Sequence, residues 1–225
     1  MGRLIGAGIF GIVGVAILMS LGFWQVRRLE WKLDLIAHVE ARVHEDPVAL
    51  PAEPAPERDR FLPVTVSGRF TGEAVHVLSS IEGIGPGSRV IAVLETAGGR
   101  RVLVDRGFLP ESARAAFAGA ADNVAVTGNL DWPADTDAYT PAPDLAHGLW
   151  FSREAAPIAR ALNAEPFLIV ASHDSAAAPP LVTVPISTAI FRNDHLEYAI
   201  TWFLLAAVWA VMTFALLWRI QRSKA

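Results

Sequence analysis

The chain has 225 residues, a formal net charge of -4 and no cysteine. This length leaves room for one ordinary folded domain beside the apolar ends of the chain, and the lack of a long basic run argues against nucleic acid as a partner. Without cysteine the chain cannot form disulfides, iron-sulfur clusters, thiolate copper sites or covalent c-type haem.

The first predicted element is a membrane-spanning helix at residues 1–26. The stretch from Leu4 to Val26 has no charged residue and is long enough to cross a hydrocarbon core of ~30 Å as a helix. Its length, and the lack of a clear small-x-small cleavage site before Trp24, favour an uncleaved anchor over a signal peptide.

A cluster of glycines lies within this span. Small residues at three- and four-residue spacing permit close approach by another membrane helix, and the nearest candidate is the C-terminal span. Glycine is also common in membrane helices for no such reason, so both interpretations stay open. The glycines are Gly6, Gly8, Gly11 and Gly14.

Residues 27–45 are predicted to continue the helix as a stalk beyond the membrane, because apolar residues recur at three- and four-residue steps as far as Val43. A second stripe runs through Trp24, Arg28 and Trp31. Arg28 can bind an anionic headgroup or a haem propionate from this position, although a snorkelling arginine at a helix end is the commoner explanation. Four prolines in residues 46–60 then predict an extended linker.

Residues 61–191 are predicted to form a β-rich domain of mainly antiparallel strands, barrel-like or sandwich in architecture, with one helix over Ser152 to Leu162. Val64 to Phe70 and Val124 to Leu130 share the pattern V-x-V-[ST]-G-x-[FL], which indicates a duplicated strand unit. The remaining strands are predicted at Ala74 to Leu78, Arg89 to Leu94, Arg101 to Val104 and Phe167 to Val170.

In the stretch VLVDRGFLP, Val102 to Pro110, an apolar strand is predicted to end in a turn. Arg106 in this turn can recognise a carboxylate or a partner protein, or it can be held by Asp105 or by backbone carbonyls. No arrangement of nucleophile, base and acid emerges from the scattered histidines, so the sequence does not favour an enzyme.

The second predicted span covers residues 192–218 and is followed by a tail at 219–225. Tyr198 to Trp218 is a run of 21 residues without a charge. Asp194 and Glu197 have the spacing of an N-cap and an N3 carboxylate, which places His195 in the first helical turn. The two spans predict a membrane hairpin with cytoplasmic termini and a periplasmic domain, because a long loop translocates largely regardless of its charge.

His195 is the candidate ligand of the chain. Tyr198 and Trp202 follow it on the same helical face, and an imidazole beside an aromatic wall shielded by lipid can serve as an axial ligand to haem iron. The alternative is an interfacial anchor, since His, Tyr and Trp all favour the headgroup zone.

Three stretches carry a resemblance to a known family. They are LGFWQVRRLEWKLDLI at Leu21 to Ile36, VLVDRGFLP at Val102 to Pro110, and RNDHLEYAITWF at Arg192 to Phe203. In order, spacing and position relative to the two spans, they resemble the Surfeit locus protein 1 family of cytochrome oxidase assembly factors.

The resemblance implies a non-enzymatic assembly factor for a haem-copper oxidase in the cell inner membrane. It also implies that haem a is bound transiently and that His195 corresponds to the family's haem-linked histidine. Tyr198, Trp202 and Trp24 would then shield the porphyrin, with Arg28 near a propionate. The expected partners are the oxidase catalytic subunit, the haem a synthase and the lipid bilayer. The alternative is a scaffold that binds no haem and stabilises an assembly intermediate.

Overall fold

The structure, a computed structural model, describes residues 2–145, 147–188 and 193–222. The chain divides into two compact units. One joins residues 1–38 to residues 188–225, and the other consists of residues 39–187.

The first unit contains the two apolar helices, α1 (Gly2–Val43, of which residues 39–43 belong to the second unit) and α4 (His195–Arg222). Both are long and apolar enough to cross a membrane, and only 11% and 6% of their most apolar windows are buried within the protein. A helix in the core of a soluble domain would bury far more of its apolar surface. The predicted pair of spanning helices at the two ends of the chain is therefore confirmed.

α1 does not stop where its uncharged run ends. It continues without a break from Gly2 to Val43, so the prediction that the helix extends beyond residue 26 is confirmed. Residues 27–43 contain charged side chains of both signs, whose long stems favour helix.

The second unit is built on a sheet that closes on itself. Its strands are β1 (Val48–Ala49), β2 (Pro63–Ile81), β3 (Gly85–Thr96), β4 (Arg101–Pro110), β5 (Ala120–Asp131), β6 (Leu149–Trp150) and β7 (Leu168–Asp174). The ring runs β2-β3-β4-β7-β5 and returns to β2 through a β2–β5 pairing. Every pair in the ring is antiparallel except β4–β7. A barrel-like, mainly antiparallel domain was predicted, and the closed ring confirms it.

The strands of the barrel bury both of their faces, and β3 illustrates how. Ala92 and Leu94 belong to a core cluster with residues of all the other ring strands, whereas Ile91 and Val93 belong to a second cluster with Ile158 of helix α3 (Ala155–Leu162). Alternate residues of a strand point to opposite faces, so one strand serves an inner core and an outer core beneath the helix.

Several predicted boundaries were wrong. β2 is one strand of 19 residues, interrupted by a register shift between Phe70 and Ala74, where two strands were predicted. The predicted turn in VLVDRGFLP does not exist, because β4 runs through Pro110. Helix α3 begins at Ala155 with Glu154 as its N-cap, so Ser152 does not cap it.

The proline-rich segment is not wholly extended. It contains β1 and a single helical turn, α2 (Pro56–Asp59). Pro56 is tolerated there because the first residue of a helix needs no N–H partner. The Asp59 carboxylate accepts hydrogen bonds from the Ala55 amide at 2.9 Å and from Arg58 at 2.7 Å, which fixes the turn.

The repeated motif pairs with its own copy. β2 and β5 are antiparallel neighbours, with Val66 opposite Val126 and Val64 opposite Gly128. The two motif glycines have the same role, because a Cβ at Gly68 would collide with the backbone of Glu95 on β3 and a Cβ at Gly128 with the backbone of Val170 on β7. Each glycine lets the barrel close tightly on one neighbouring strand.

Candidate functional site

α1 and α4 pack against each other as antiparallel helices through small residues on α1. A Cβ at Gly11 would collide with Thr213, and a Cβ at Gly22 would collide with Phe203, near the opposite end of the contact. At Gly14 it would collide with the Trp209 ring. These glycines therefore permit the close approach that small residues give in membrane helix pairs.

The glycine prediction was right in part. Gly11 and Gly14 contact the C-terminal span as expected, but a Cβ at Gly6 or Gly8 would meet nothing within 4 Å. Gly22 was not singled out, because it lies outside the N-terminal cluster.

Aromatic contacts reinforce this packing. The rings of Phe10 and Trp209 have their centroids 5.3 Å apart, and those of Phe23 and Phe203 meet edge to face at 5.4 Å. Edge-to-face geometry suits the ring quadrupoles. In the second pair, Phe23 lies two residues before Gln25 on α1, and Phe203 lies two helical turns after His195 on α4.

His195 is the first residue of α4, and its ring is bonded to α1. The Nδ1 atom of His195 lies 2.8 Å from the Oε1 atom of Gln25. His195 is half-buried, whereas Gln25 is 8% exposed. An amide oxygen can only accept a hydrogen bond, so in this arrangement Nδ1 carries the proton and the neutral ring keeps its lone pair on Nε2.

A second polar group lies close to this pair in the sequence. The Oδ1 atom of Asn193 is buried, and it accepts no hydrogen bond from the part of the chain that the structure describes. A buried acceptor without a donor costs free energy.

The other predicted site residues are less tightly placed. Tyr198 and Trp24 expose 56% and 55% of their surface, and Trp202 is half-buried. The Arg28 guanidinium is exposed and lies 4.2 Å from the centre of the Trp31 ring, a cation-π contact within its own helix. Among the described residues, the hydrogen bonds of the His195 ring join it to Gln25 alone.

Gln25 was not predicted as a site residue, although its position carries a signal. It is an uncharged polar residue at the end of a run of apolar ones, and a buried amide at the end of a membrane span needs a hydrogen-bond partner. The predicted N-cap role of Asp194 stays a prediction. The Tyr198 amide donates to the backbone carbonyl of Asp194 at 3.2 Å, which marks the helix start.

A metal at His195 would have to be held by few protein ligands. No group of three or more His, Asp or Glu side chains able to hold an ion occurs among residues 2–145, 147–188 and 193–222. Haem iron suits such a site, because the porphyrin supplies four nitrogen ligands and the protein only an axial one.

Arg106 is a structural residue and does not lie on a binding surface. It is 2% exposed, its Nε donates to Asp174 at 2.8 Å, and its guanidinium lies 3.9 Å from the centre of the Phe70 ring. The adjacent Asp105 pairs with Arg89 instead, at 2.7 Å. Of the two interpretations of Arg106, the one in which its side chain is held in place is correct. The backbone carbonyls of Gly119 and Ala176 accept from it as predicted, but the carboxylate partner is Asp174 and not Asp105, and the backbone at Arg106 is a bulge within β4.

Comparison with known proteins shows which family the chain belongs to. The sequence model of the SURF1 family matches residues 12–207, which is most of the chain. The chain belongs to the SURF1 family. The match takes in most of α1, the whole barrel unit and the part of α4 that carries His195, so it confirms the resemblance found in the three motifs.

Individual SURF1-family relatives are similar along most of their length. Human Surfeit locus protein 1 is 29% identical over 221 residues, covering 87% of this chain and 72% of the human protein. The mouse protein of the same name is 28% identical over 223 residues, covering 87% and 70%. A SURF1-like protein of Rickettsia prowazekii (strain Madrid E) is 28% identical over 200 residues, covering 84% and 81%.

Proposed function

We propose that this chain is an assembly factor for a haem-copper terminal oxidase and that it binds haem a transiently through His195. The observation that supports the proposal is the contact of His195 Nδ1 with Gln25 Oε1, because a ring that donates from Nδ1 keeps its lone pair on Nε2. Haem iron requires such a Lewis base, and a neutral imidazole is a common axial ligand.

The residues around His195 fit a porphyrin chemically. Exposed aromatic faces at Tyr198 and Trp24, with Trp202 beside them, can cover an apolar macrocycle and its hydrocarbon tail. Arg28 is exposed on α1 one turn beyond Gln25 and can pair with a propionate carboxylate. The His195 side chain is only half-buried, which suits a carrier, because a carrier has to release the haem that it binds.

Membership of the SURF1 family supports the proposed client and location. A SURF1-family chain with two membrane helices is proposed to act beside the oxidase catalytic subunit in the cell inner membrane, with the haem a synthase as the donor of the cofactor. The barrel unit is proposed to face the periplasm and both termini the cytoplasm, since Arg219 and Arg222 follow the second span with no acidic residue near them.

The chain is proposed to be non-catalytic. Within the described residues of the barrel, the most deeply buried charged groups are paired with one another, as Arg106 with Asp174 and Arg89 with Asp105. The Ser88 hydroxyl, which bonds to His76 at 3.0 Å, belongs to a residue only 1% exposed and is closed to a substrate.

A scaffold that holds an oxidase intermediate without binding haem is the second candidate. It is favoured by the exposure of Tyr198 and Trp24, which leaves these rings free to contact another membrane protein. In this account His195 only joins α4 to α1 through Gln25.

Gene replacement separates the two candidates. Deleting the gene should lower the haem a content of the purified oxidase in both accounts, so the test is complementation. A carrier predicts that the His195→Ala variant reaches normal membrane levels but fails to restore haem a. If the variant restores haem a to the wild-type level, the carrier function is wrong and the scaffold is supported.

A further inference from the structure

We infer that Gln25 is a positioning residue that fixes the tautomer of His195 and so directs Nε2 towards iron. The inference rests on the proposed function. It makes the orientation of the ligand on α4 depend on a residue of α1, so the antiparallel packing of the two helices becomes a requirement for ligation.

The amide atom that faces the ring sets the direction of the hydrogen bond. Gln25 Oε1 lies 2.8 Å from His195 Nδ1, within the range of a well-formed hydrogen bond. The oxygen has no proton to give, so Nδ1 donates and Nε2 is unprotonated in the neutral ring. An amide turned by 180° would donate to Nδ1 instead and would place the ring proton on Nε2, where it blocks a bond to a metal.

Packing keeps the amide in place. Gln25 is 8% exposed, and the neighbouring turn of α1 is held against α4 by the contacts of Gly22 and Phe23 with Phe203. An amide buried at a helix interface loses its hydrogen bonds to water and must replace them. The His195 ring supplies the replacement, so the two side chains stabilise each other's orientation.

The choice of an amide as the acceptor has a chemical consequence. Histidine ligands commonly donate their second ring nitrogen to a carboxylate or a carbonyl, and the stronger the acceptor, the more basic the ligand. A neutral amide oxygen orients the ring while withdrawing the Nδ1 proton less than a carboxylate would. A bond from Nε2 to iron would then be weaker than with a carboxylate acceptor, as a transient carrier requires.

The apoprotein gives the first test, without haem. The full-length protein, labelled with ¹⁵N-histidine in mild detergent at alkaline pH, should show Nε2 of His195 at the unprotonated imidazole position, assigned by its absence from His195→Ala. In Gln25→Leu this signal should shift towards the protonated position, because the ring then samples both tautomers. A wild-type Nε2 that carries the proton would overturn the inference.

Titration with ferric haem a gives the second test. Gln25→Leu should weaken binding ~10- to 100-fold, the usual effect of removing such an orienting partner. Gln25→Glu should bind haem a more tightly and lower its midpoint potential. The matched control is Thr201→Val. Thr201 is an exposed residue of α4 whose hydroxyl donates to the Glu197 carbonyl one turn earlier in the same helix, and the variant should bind haem a as the wild type does.

The outcomes distinguish the inference from the function beneath it. If wild type binds haem a and Gln25→Leu binds it equally well with the same tautomer, the inference fails and the carrier function stands. If wild type binds no haem a but its apoprotein shows the Nδ1-protonated ring, the carrier function fails and the positioning contact stands. Should Gln25→Leu not fold, the tautomer of the wild-type apoprotein decides.

Discussion

At the scale of single residues, the barrel contains a buried ion pair whose loss we expect to be costly. Arg106 and Asp174 have side chains 2% and 0% exposed, and Arg106 also donates to the carbonyls of Gly119 and Ala176. Removing one partner of a buried pair typically costs about 3–5 kcal/mol, because the other charge is left without compensation. Arg106→Met should lower the free energy of unfolding by that amount in chemical denaturation.

An exposed ion pair of the same barrel supplies the control. Arg69 lies 2.7 Å from Glu95 with 59% of its side chain exposed, and such surface pairs contribute about 0–1 kcal/mol. Arg69→Met should therefore change stability little. Equal losses for the two variants would contradict the structural role of Arg106, whereas partial recovery in Arg106→Met with Asp174→Asn would support it.

His76 should give the barrel a pH-dependent stability. Burial, with the positive charge of Arg114 as the second cause, lowers the pKa of His76 below its ordinary value of about 6.5, while Glu111 opposes the shift. The unfolded chain then binds a proton at a higher pH than the folded one. The contribution of His76 to the free energy of unfolding should be present in full above pH ~6.5, and it should be lost as the pH falls towards the folded-state pKa.

Thermal unfolding of wild type and His76→Gln between pH 7.5 and 5.5 checks this expectation. The glutamine keeps a side chain able to bond with Ser88 but does not titrate in this range. The stability difference between the two proteins should narrow as the pH falls. A difference that stays constant would show that His76 has no part in the pH dependence.

At the scale of elements, the sequence predicted the helices and strands that are determined by the residues of a short stretch of chain. The two spans follow from uncharged runs, and most strands from alternation, as Ala92 and Leu94 face one core while Ile91 and Val93 face the other. The β4 turn was mispredicted, because Asp-Arg-Gly has turn composition but forms a bulge. Gly107 has a φ of 119° there, and Arg106 and Asp105 are bound to partners far along the chain.

The candidate site was predictable only in part, for a related reason. His195 is marked by its place at the start of an apolar run, which is a local property. Its bond to Gln25 joins residues 170 positions apart and depends on the register of two packed helices. That register is set by the contacts of Gly14 with Trp209 and of Gly22 with Phe203. Because these residues are far apart in the chain, no short stretch of sequence predicts the register.

At the scale of the whole molecule, the proposed topology can be tested by reporter fusions. With two spans, a reporter placed near Gly98, in the turn between β3 and β4, should lie on the opposite side of the membrane from one at the C-terminus. Alkaline phosphatase should be active in the first position and a cytoplasmic fluorescent protein in the second. The same side for both would contradict the hairpin, and an exchange of sides would reverse the proposed orientation.

The central claim is that His195 binds haem iron, and an optical spectrum tests it most directly. The protein is co-expressed with a haem a synthase, purified in mild detergent, and compared with a His195→Ala variant prepared in the same way. We expect substoichiometric haem a in the wild type, because a carrier releases its cargo, and a lost or strongly altered Soret band in the variant. The fold should survive the substitution, since a half-buried residue in the first turn of a long apolar helix contributes little to insertion. No haem a in the wild type, or an equal amount with an unchanged Soret band in the variant, would contradict the claim.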